Sequence, residues 1–357
     1  MKILSIDQVR EADQYTIKNE PIQSTDLMER AGTQCYKWII KRSKKKQVFK
    51  IVVGPGNNGG DGLVLSRLLA GDGFQVEVII LRFTNKESDD FSHNLKRLRD
   101  QKKAKLTEIK DGDALPKFSE KEVIIDGIFG SGLTRPVKGF IGDVINAMNE
   151  SNAMIIAIDM PSGLFADKST KGTNSAILKA DYTLSFQFPK KAFFFAENHE
   201  CVGEWIILPI GLHKDFIQDV EAKDFYVLKK DVKGILHPRK KFSHKGTYGH
   251  ALLVSGSYGK MGAAVMAAKA AMRSGAGLVS CHLPKKGYQI MQTAVSEVMT
   301  SIDRSEEIFS EVPDLSPYNT IGVGPGIGTS EQTANALKLL IQNAGIPMLF
   351  HADAINI

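Results

Sequence analysis

The chain has 357 residues, of which 43% are hydrophobic and 24% charged, with a formal net charge of +6. That length leaves room for two domains of ordinary size, and the composition suits a folded globular chain rather than a disordered or fibrous one. No apolar run approaches the ~20 residues of a membrane-spanning helix, and the opening Met1-Lys2-Ile3-Leu4-Ser5-Ile6-Asp7 is too briefly apolar for a signal peptide, so a cytoplasmic protein without a membrane partner is expected.

In chain order, residues 5–45 read as helical, with Val9, Ala12, Tyr15 and Thr16 giving way to Leu27, Met28, Ala31 and Trp38 at helical spacing. Residues 48–53 form a short apolar strand, followed by a glycine-rich turn and a helix from about Leu63 to Ala70. Phe74 to Leu81 is the next strand, marked by alternating Val76, Val78 and Ile80. Val123-Ile124-Ile125 and Met154 to Ile158 are continuous apolar runs, the mark of strands buried on both faces of a parallel sheet. Helical stretches between them predict an α/β fold, Rossmann-like with three αβα layers. Tyr182 to Phe186 and Trp205 to Leu208 are later strands.

The chain then changes character. Lys229-Lys230-Asp231-Val232-Lys233, His237-Pro238 and a basic run read as a junction, which divides the chain into a first domain over 1–214, a linker over 215–244 and a second domain over 245–357. The second βα series has strands at Ala251 to Val254, Leu278 to His282, Thr320 to Val323 and Met348 to Phe350. Cys35, Cys201 and Cys281 are odd in number and far apart, so neither disulfides nor a zinc site is expected. The runs Lys41-Arg42-Ser43-Lys44-Lys45-Lys46 and Arg239-Lys240-Lys241 lack interleaved aromatics, so they read as solvated faces and no nucleic-acid partner is expected.

Three motifs carry chemistry. Gly54-Pro55-Gly56-Asn57-Asn58-Gly59-Gly60-Asp61-Gly62 lies between a strand and a helix, where backbone N–H groups and a helix N-terminus favour a phosphate. Gly54, Gly56 and Gly59 also match a dinucleotide-binding spacing, and Arg82 at the end of the next strand suits a 2′-phosphate, which keeps an NADP-dependent oxidoreductase open. The two asparagines and Asp61 are unusual there and offer oxygens to an ion or a polar substrate. In Asp126-Gly127-Ile128-Phe129-Gly130-Ser131-Gly132 and Asp159-Met160-Pro161-Ser162-Gly163 an acid ends a buried strand before a glycine-containing loop. Ligands of open α/β sheets bind at that edge, and paired carboxylates there can do acid–base work or hold a cation.

Together these motifs resemble the NAD(P)H-hydrate epimerase family over roughly residues 1–212, helped by Gln8 to Asp13, Leu27 to Gly32, Ala180 to Phe186 and Pro209 to Leu212. The resemblance implies a homodimer that interconverts the R and S hydrates of NADH and NADPH at the hydrated ring carbon. It implies substrate binding by Asn57, Asn58, Gly59, Gly60 and Asp61 and by Gly130, Ser131, Gly132, Leu133, Thr134, Arg135 and Pro136. Asp159 would touch the substrate and do the acid–base work, joined by Asp126 as the second catalytic carboxylate. A potassium ion would sit on Asn58, Asp126 and Ser162. A non-catalytic nucleotide-binding module is the reading from a different class.

The second half is similar, in the order of its motifs, to the opening of a ribokinase-like ADP- or ATP-dependent NAD(P)H-hydrate dehydratase. The motifs are Lys245 to Gly249, Leu253 to Ser257, Gly262 to Ala264, Ala271 to Val279, Gly322 to Gly328 and Ala352 to Asn356. The resemblance implies substrate contacts at Ala263, Gly326 and Gly328. His351 stands where that family usually has Asp, and the family's later segments with its nucleotide site and catalytic Asp are not among these residues. An incomplete ribokinase-like domain, with dehydratase activity lost or incomplete, is therefore expected.

Overall fold

The computed structural model describes residues 1–236 and 238–357; His237, read as part of the junction, lies outside the described residues. Two compact units divide the chain, Met1–Ile235 and Leu236–Ile357.

The first unit opens with strand β1 (Lys2–Ile3), helix α1 (Ile6–Asn19) and helix α2 (Ser24–Ile40). Ser5 and Gln8 form a reciprocal capping box that starts α1. The single helical stretch expected over 5–45 is broken around Pro21, which has no N–H to continue the ladder. Leu27, Ala31, Cys35 and Trp38 then line one buried stripe of α2.

Six βα-linked strands and a seventh follow: β2 (Val48–Val53), α3 (Asn57–Gly71), β3 (Gln75–Arg82), α4 (Asp89–Gln101), β4 (Lys105–Lys110), β5 (Glu122–Gly127), α5 (Gly139–Asn149), β6 (Met154–Ile158), β7 (Tyr182–Phe186), the single-turn α6 (His199–Val202) and β8 (Glu204–Leu208). The strands lie in the order β4-β3-β2-β5-β6-β7-β8, all parallel. One apolar core packs α2, α3 and α4 on one face, and a second packs α5 on the other. This is the expected three-layer α/β arrangement.

Of the residues expected in a linker, 215–235 lie in this unit, and the described residues among 236–244 lie in the second. Helix α7 (Lys214–Asp219), strand β9 (Asp224–Phe225) and helix α8 (Lys229–Ile235) continue the first unit. β9 pairs antiparallel with β1, with Lys2 opposite Phe225. Lys2 Nζ donates to the carbonyls of Gln218 and Val220 at the end of α7, at 2.7 and 2.6 Å. Phe216, Ile217 and Val220 pack on Leu4, Ala12 and Leu27. Few apolar residues suffice there because α1 and α2 already present an unpaired face.

The second unit is a parallel sheet with strands β10 (His250–Val254), β11 (Leu278–Leu283), β12 (Met299–Ile302), β13 (Thr320–Val323) and β14 (Met348–Phe350), in the order β12-β11-β10-β13-β14. Helices α9 (Met261–Ser274), α10 (Tyr288–Ala294), α11 (Glu331–Asn343) and α12 (Asp353–Asn356) flank it, above and below two apolar cores. β14 is an edge strand whose Leu349 is 65% exposed, as expected for that position. Among the described residues, no helix is long and apolar enough to cross a membrane.

Candidate functional site

The strand order of the first sheet reverses between β2 and β5, which are neighbours in register from Val48 opposite Glu122 to Val53 opposite Gly127. Connections on either side of that point run to opposite faces and leave a crevice at the carboxyl ends. A cavity of about 1040 Å³ fills it.

The glycine-rich motif forms the floor. It was expected to be a turn with the helix beginning near Leu63, but α3 begins at Asn57 with Gly56 as its N-cap. Gly54, Gly56, Gly59 and Gly60 all avoid the left-handed φ region. What the segment needs is the absence of Cβ: one at Gly54 would run into the Ile128 carbonyl, one at Gly59 into the Gly54 carbonyl, and one at Gly60 into Met28 Sδ. The helix is thereby pressed against β5's exit loop and α2. Its first N–H groups have no partner within the helix and give the crevice a positive end.

Of the residues expected to bind substrate, Asn57, Asn58, Asp61, Asp159 and the loop from Gly130 to Pro136 line the cavity. Gly59 and Gly60 do not; they face packing partners. Asp126 and Ser162 are also absent from the lining, and both are fully buried. Asp126 accepts from Ser162 N at 2.8 Å, Ser162 Oγ at 2.6 Å and Ile128 N at 3.1 Å. Ser162 Oγ in turn receives Phe129 N at 2.9 Å. Burial pushes the Asp126 carboxyl up to about 6 against those hydrogen bonds. With its oxygens turned into the protein, Asp126, expected as a second catalytic carboxylate, ties the loops after β5 and β6 together.

Asp159 sits one residue beyond β6 with φ +62°, a left-handed conformation that Asp tolerates better than most side chains. It is 7% exposed and accepts from Lys190 Nζ at 2.7 Å, with longer contacts from Ser131 N and Phe186 N. Three further acidic residues line the cavity: Asp13, Asp61 and Glu87, the last paired with Arg82. Asp61 is held well above the usual carboxylate range, first by burial and then by the charges of Asp159 and Asp13. Asp13, from α1, is pushed up to about 6 by burial and Asp159, with Lys190 opposing. Sequence reading missed Asp13 and Lys190. Arg82, expected to suit a 2′-phosphate, is taken up instead by Glu87 and by Glu108 at 2.9 Å, and it does not line the cavity. Arg10, Lys86, Arg135 and Lys138 do.

In the second unit Ala263, Gly326 and Gly328 fall around the β10 and β13 exits, with Gly326 close over Ala263 and Gly328 N donating to Asp353 Oδ2 at 2.8 Å. None lines that unit's cavity of about 320 Å³, which is bounded mostly by Tyr258, Met261, Pro284 and Ile290. His351 is exposed just past β14.

Fold and crevice define an α/β protein with a cavity lined by charged side chains at a topological switch point. Comparison with known proteins narrows this. A family model described as YjeF-related protein N-terminus matches residues 24–192, and one described as NAD(P)H-hydrate dehydratase matches residues 251–357. The bifunctional NAD(P)H-hydrate repair enzyme Nnr of Coxiella burnetii is 32% identical over 98% of this chain and 70% of its own length. The corresponding enzyme of Salinibacter ruber is 30% identical over 99% of this chain and 69% of its own. A crystal structure of the yeast protein ynu0 superposes with a TM-score of 0.51 at 22% identity, covering 64% of this chain and 97% of that one, which is a likeness of fold. The chain belongs to the bifunctional NAD(P)H-hydrate repair enzymes, with an epimerase-type first unit and a dehydratase-related second unit.

Proposed function

We propose that the first unit interconverts the R and S hydrates of NADH and NADPH. The observation that carries this reading is the crevice itself: the open N-terminus of α3 and several basic side chains line the same cavity as Asp159, Asp61 and Asp13. The former suit the phosphates of a dinucleotide. The latter suit proton transfer at a ring carbon. In the reaction the carbon–oxygen bond of the hydrated carbon breaks as the ring nitrogen's lone pair forms a carbon–nitrogen double bond, and hydroxide leaves with a proton as water. Water then adds to the opposite face and gives a proton back to a carboxylate, so no net atom or electron is gained. Asp159 is the proton-handling group, and the loop over Gly130 to Pro136 closes over the ring. The test is equilibration of purified R-hydrate with S-hydrate without nucleotide triphosphate. A rate no faster than the spontaneous one would refute the reading. Because Arg82 is already paired, an NADP-dependent oxidoreductase is the weaker reading, and absence of hydride transfer with intact NADPH separates the two.

Potassium fits the neighbourhood of Asp126. Asn58 Nδ2 is buried without a hydrogen-bond partner among the described residues. Rotating that amide would present an oxygen there, and amide orientations are matters of assignment. Asn58, Asp126 and Ser162 would then hold the ion through hard oxygen donors, which suit potassium better than a soft-ligand metal. It would supply positive charge that satisfies a buried carboxylate. The check is thermal stability in potassium against an equal concentration of a bulky organic cation; equal melting would remove the ion. The family likeness also underlies an expected homodimer, read by light scattering.

For the second unit we propose no ADP- or ATP-dependent dehydration by this 357-residue polypeptide. One cavity there, of about 320 Å³, is largely apolar, and the buried Asp303 is already committed to internal hydrogen bonds. ATP-dependent loss of S-hydrate above the no-enzyme control would overturn this.

A further inference from the structure

Lys190 is among the largest side chains buried below 2% exposure in the molecule, and it carries a charge. It lies four residues past β7, at the same carboxyl edge of the sheet as Asp159, and borders the cavity. Around its Nζ are acceptors: Asp159 Oδ1 at 2.7 Å, Ser185 Oγ at 3.1 Å, Phe188 O at 3.4 Å and Phe186 O at 3.5 Å. An ammonium has three donors and no acceptor, so this cradle is built for the charged form. Burying a lysine is costly unless it is paired, and a residue retained at that cost beside a cavity is a candidate for function rather than for stability alone.

The neighbours make the pairing asymmetric. Asp13 on α1, Asp61 on α3 and Asp159 after β6 all border the one cavity, and the ammonium hydrogen-bonds to Asp159. The backbone N–H groups of Ser131 and Phe186 also point to Asp159. Asp13 and Asp61 have no ion-pair partner within 4.0 Å among the described residues. Burial and the Asp159 charge favour their protonated forms. Carboxyls in one site whose surroundings drive them apart divide into an acid and a base.

We infer that Lys190 is a positioning residue for the epimerisation: its ammonium holds Asp159 as the oriented carboxylate that takes the proton of the attacking water, while the departing hydroxide is protonated from the Asp13 and Asp61 carboxyls. One proton leaves the acid pair and one arrives on Asp159, so the site resets when a proton returns from Asp159 to that pair. The inference rests on the epimerase reading and adds to it the group that assigns the two proton roles.

The experiment uses the full chain and pH profiles of R-to-S equilibration. Lys190→Met removes the cation and leaves Asp159 among other carboxyls, which favours its protonation. The base is then lost at higher pH: the acid limb of the kcat profile moves up by about one pH unit or more, and kcat near pH 7 falls about tenfold or more, with KM changed much less. Lys190→Arg keeps the charge, so its acid limb stays at the wild-type position even if the rate drops. A Lys190→Met profile superimposable on the wild type, or an acid limb displaced equally in both variants, overturns the inference. Should Lys190→Met not fold, the neutral pair Asp159→Asn with Lys190→Met replaces it, since that variant strands no buried charge. Compared with Asp159→Asn alone, the second substitution should cost no further activity, and an additive loss would count against Lys190 acting through Asp159. Wild-type protein without epimerisation would sink the epimerase reading itself, an outcome distinct from any of these.

Discussion

Asp159 and Asp303 are each the first residue beyond a parallel strand, the interior β6 and the edge strand β12 respectively. Their surroundings differ in kind. Asp159 has one buried cation and an open side toward a large cavity. Asp303 is fully buried and accepts from His282 Nε2 at 3.1 Å, from Ser310 N at 2.7 Å, from Ser305 N at 2.8 Å and from the Ser310 hydroxyl. Burial alone would raise its proton affinity, but the His282 and Ser310 bonds overcome this and hold it well below the usual carboxylate range. An acid at a strand end is thus a place in the topology. Whether it can react depends on how many of its lone pairs the fold has already used.

The largest effect expected from this contrast is on rate. Asp159→Asn should slow epimerisation about 10²–10⁴-fold, since an amide takes no proton near neutrality. Melting should fall as well, because the buried Lys190 ammonium loses its carboxylate partner, although Asn tolerates the same left-handed backbone. A variant with near-wild-type turnover would show that Asp159 is no more chemically engaged than Asp303.

Asp303→Asn should do the reverse. An amide cannot accept every bond now made to the carboxylate, and breaking a buried network of this kind costs about 2–4 kcal/mol. Hydrogen exchange should accelerate in residues 278–312 while epimerisation persists; unchanged protection there would mean the network is slack. Next in size is Gly59→Ala. The added methyl would meet the Gly54 carbonyl, and overpacking of this sort costs about 1–3 kcal/mol. Unchanged stability would show that α3 can shift away from the segment leaving β2.

The smallest effect is in pH. Asp13 has a folded-state value near 6 against an ordinary 3.8, so ionising it costs the fold. Its contribution favours folding below the ordinary value and is lost as pH rises through about 6. Asp303 is depressed, so its contribution is present above the ordinary range and is lost as pH falls below it. Comparing melts of wild type and Asp13→Asn between pH 4 and 7.5 isolates the first; parallel curves would remove it.

Much of this was legible in the sequence. Continuous apolar runs identified β5 and β6, and the acids ending them marked the working edge of the sheet. Strands β4 and β12 were not found, because Lys105-Leu106-Thr107-Glu108-Ile109-Lys110 and Met299-Thr300-Ser301-Ile302 are sheet-edge strands with mixed composition, as edges commonly are. The start of α3 was misplaced because glycine is a poor helix former; close packing against β5's loop outweighed propensity. Lys190 follows a proline and precedes another lysine, which reads as ordinary surface. The available signal was its place just past an apolar strand that parallels the one ending at Asp159.

The glycine contacts at the start of α3 also limit how this crevice can be altered. With Gly54, Gly59 and Gly60 each wedged against a neighbour, the phosphate-facing end of the helix has no slack in which to change shape. A different ligand must conform to that fixed row of N–H groups, as a key conforms to the back of a lock. Selectivity among related dinucleotides is therefore best re-engineered from the opposite wall, where Gly132, Thr134, Arg135 and Pro136 are exposed and their side chains can be exchanged without repacking a core.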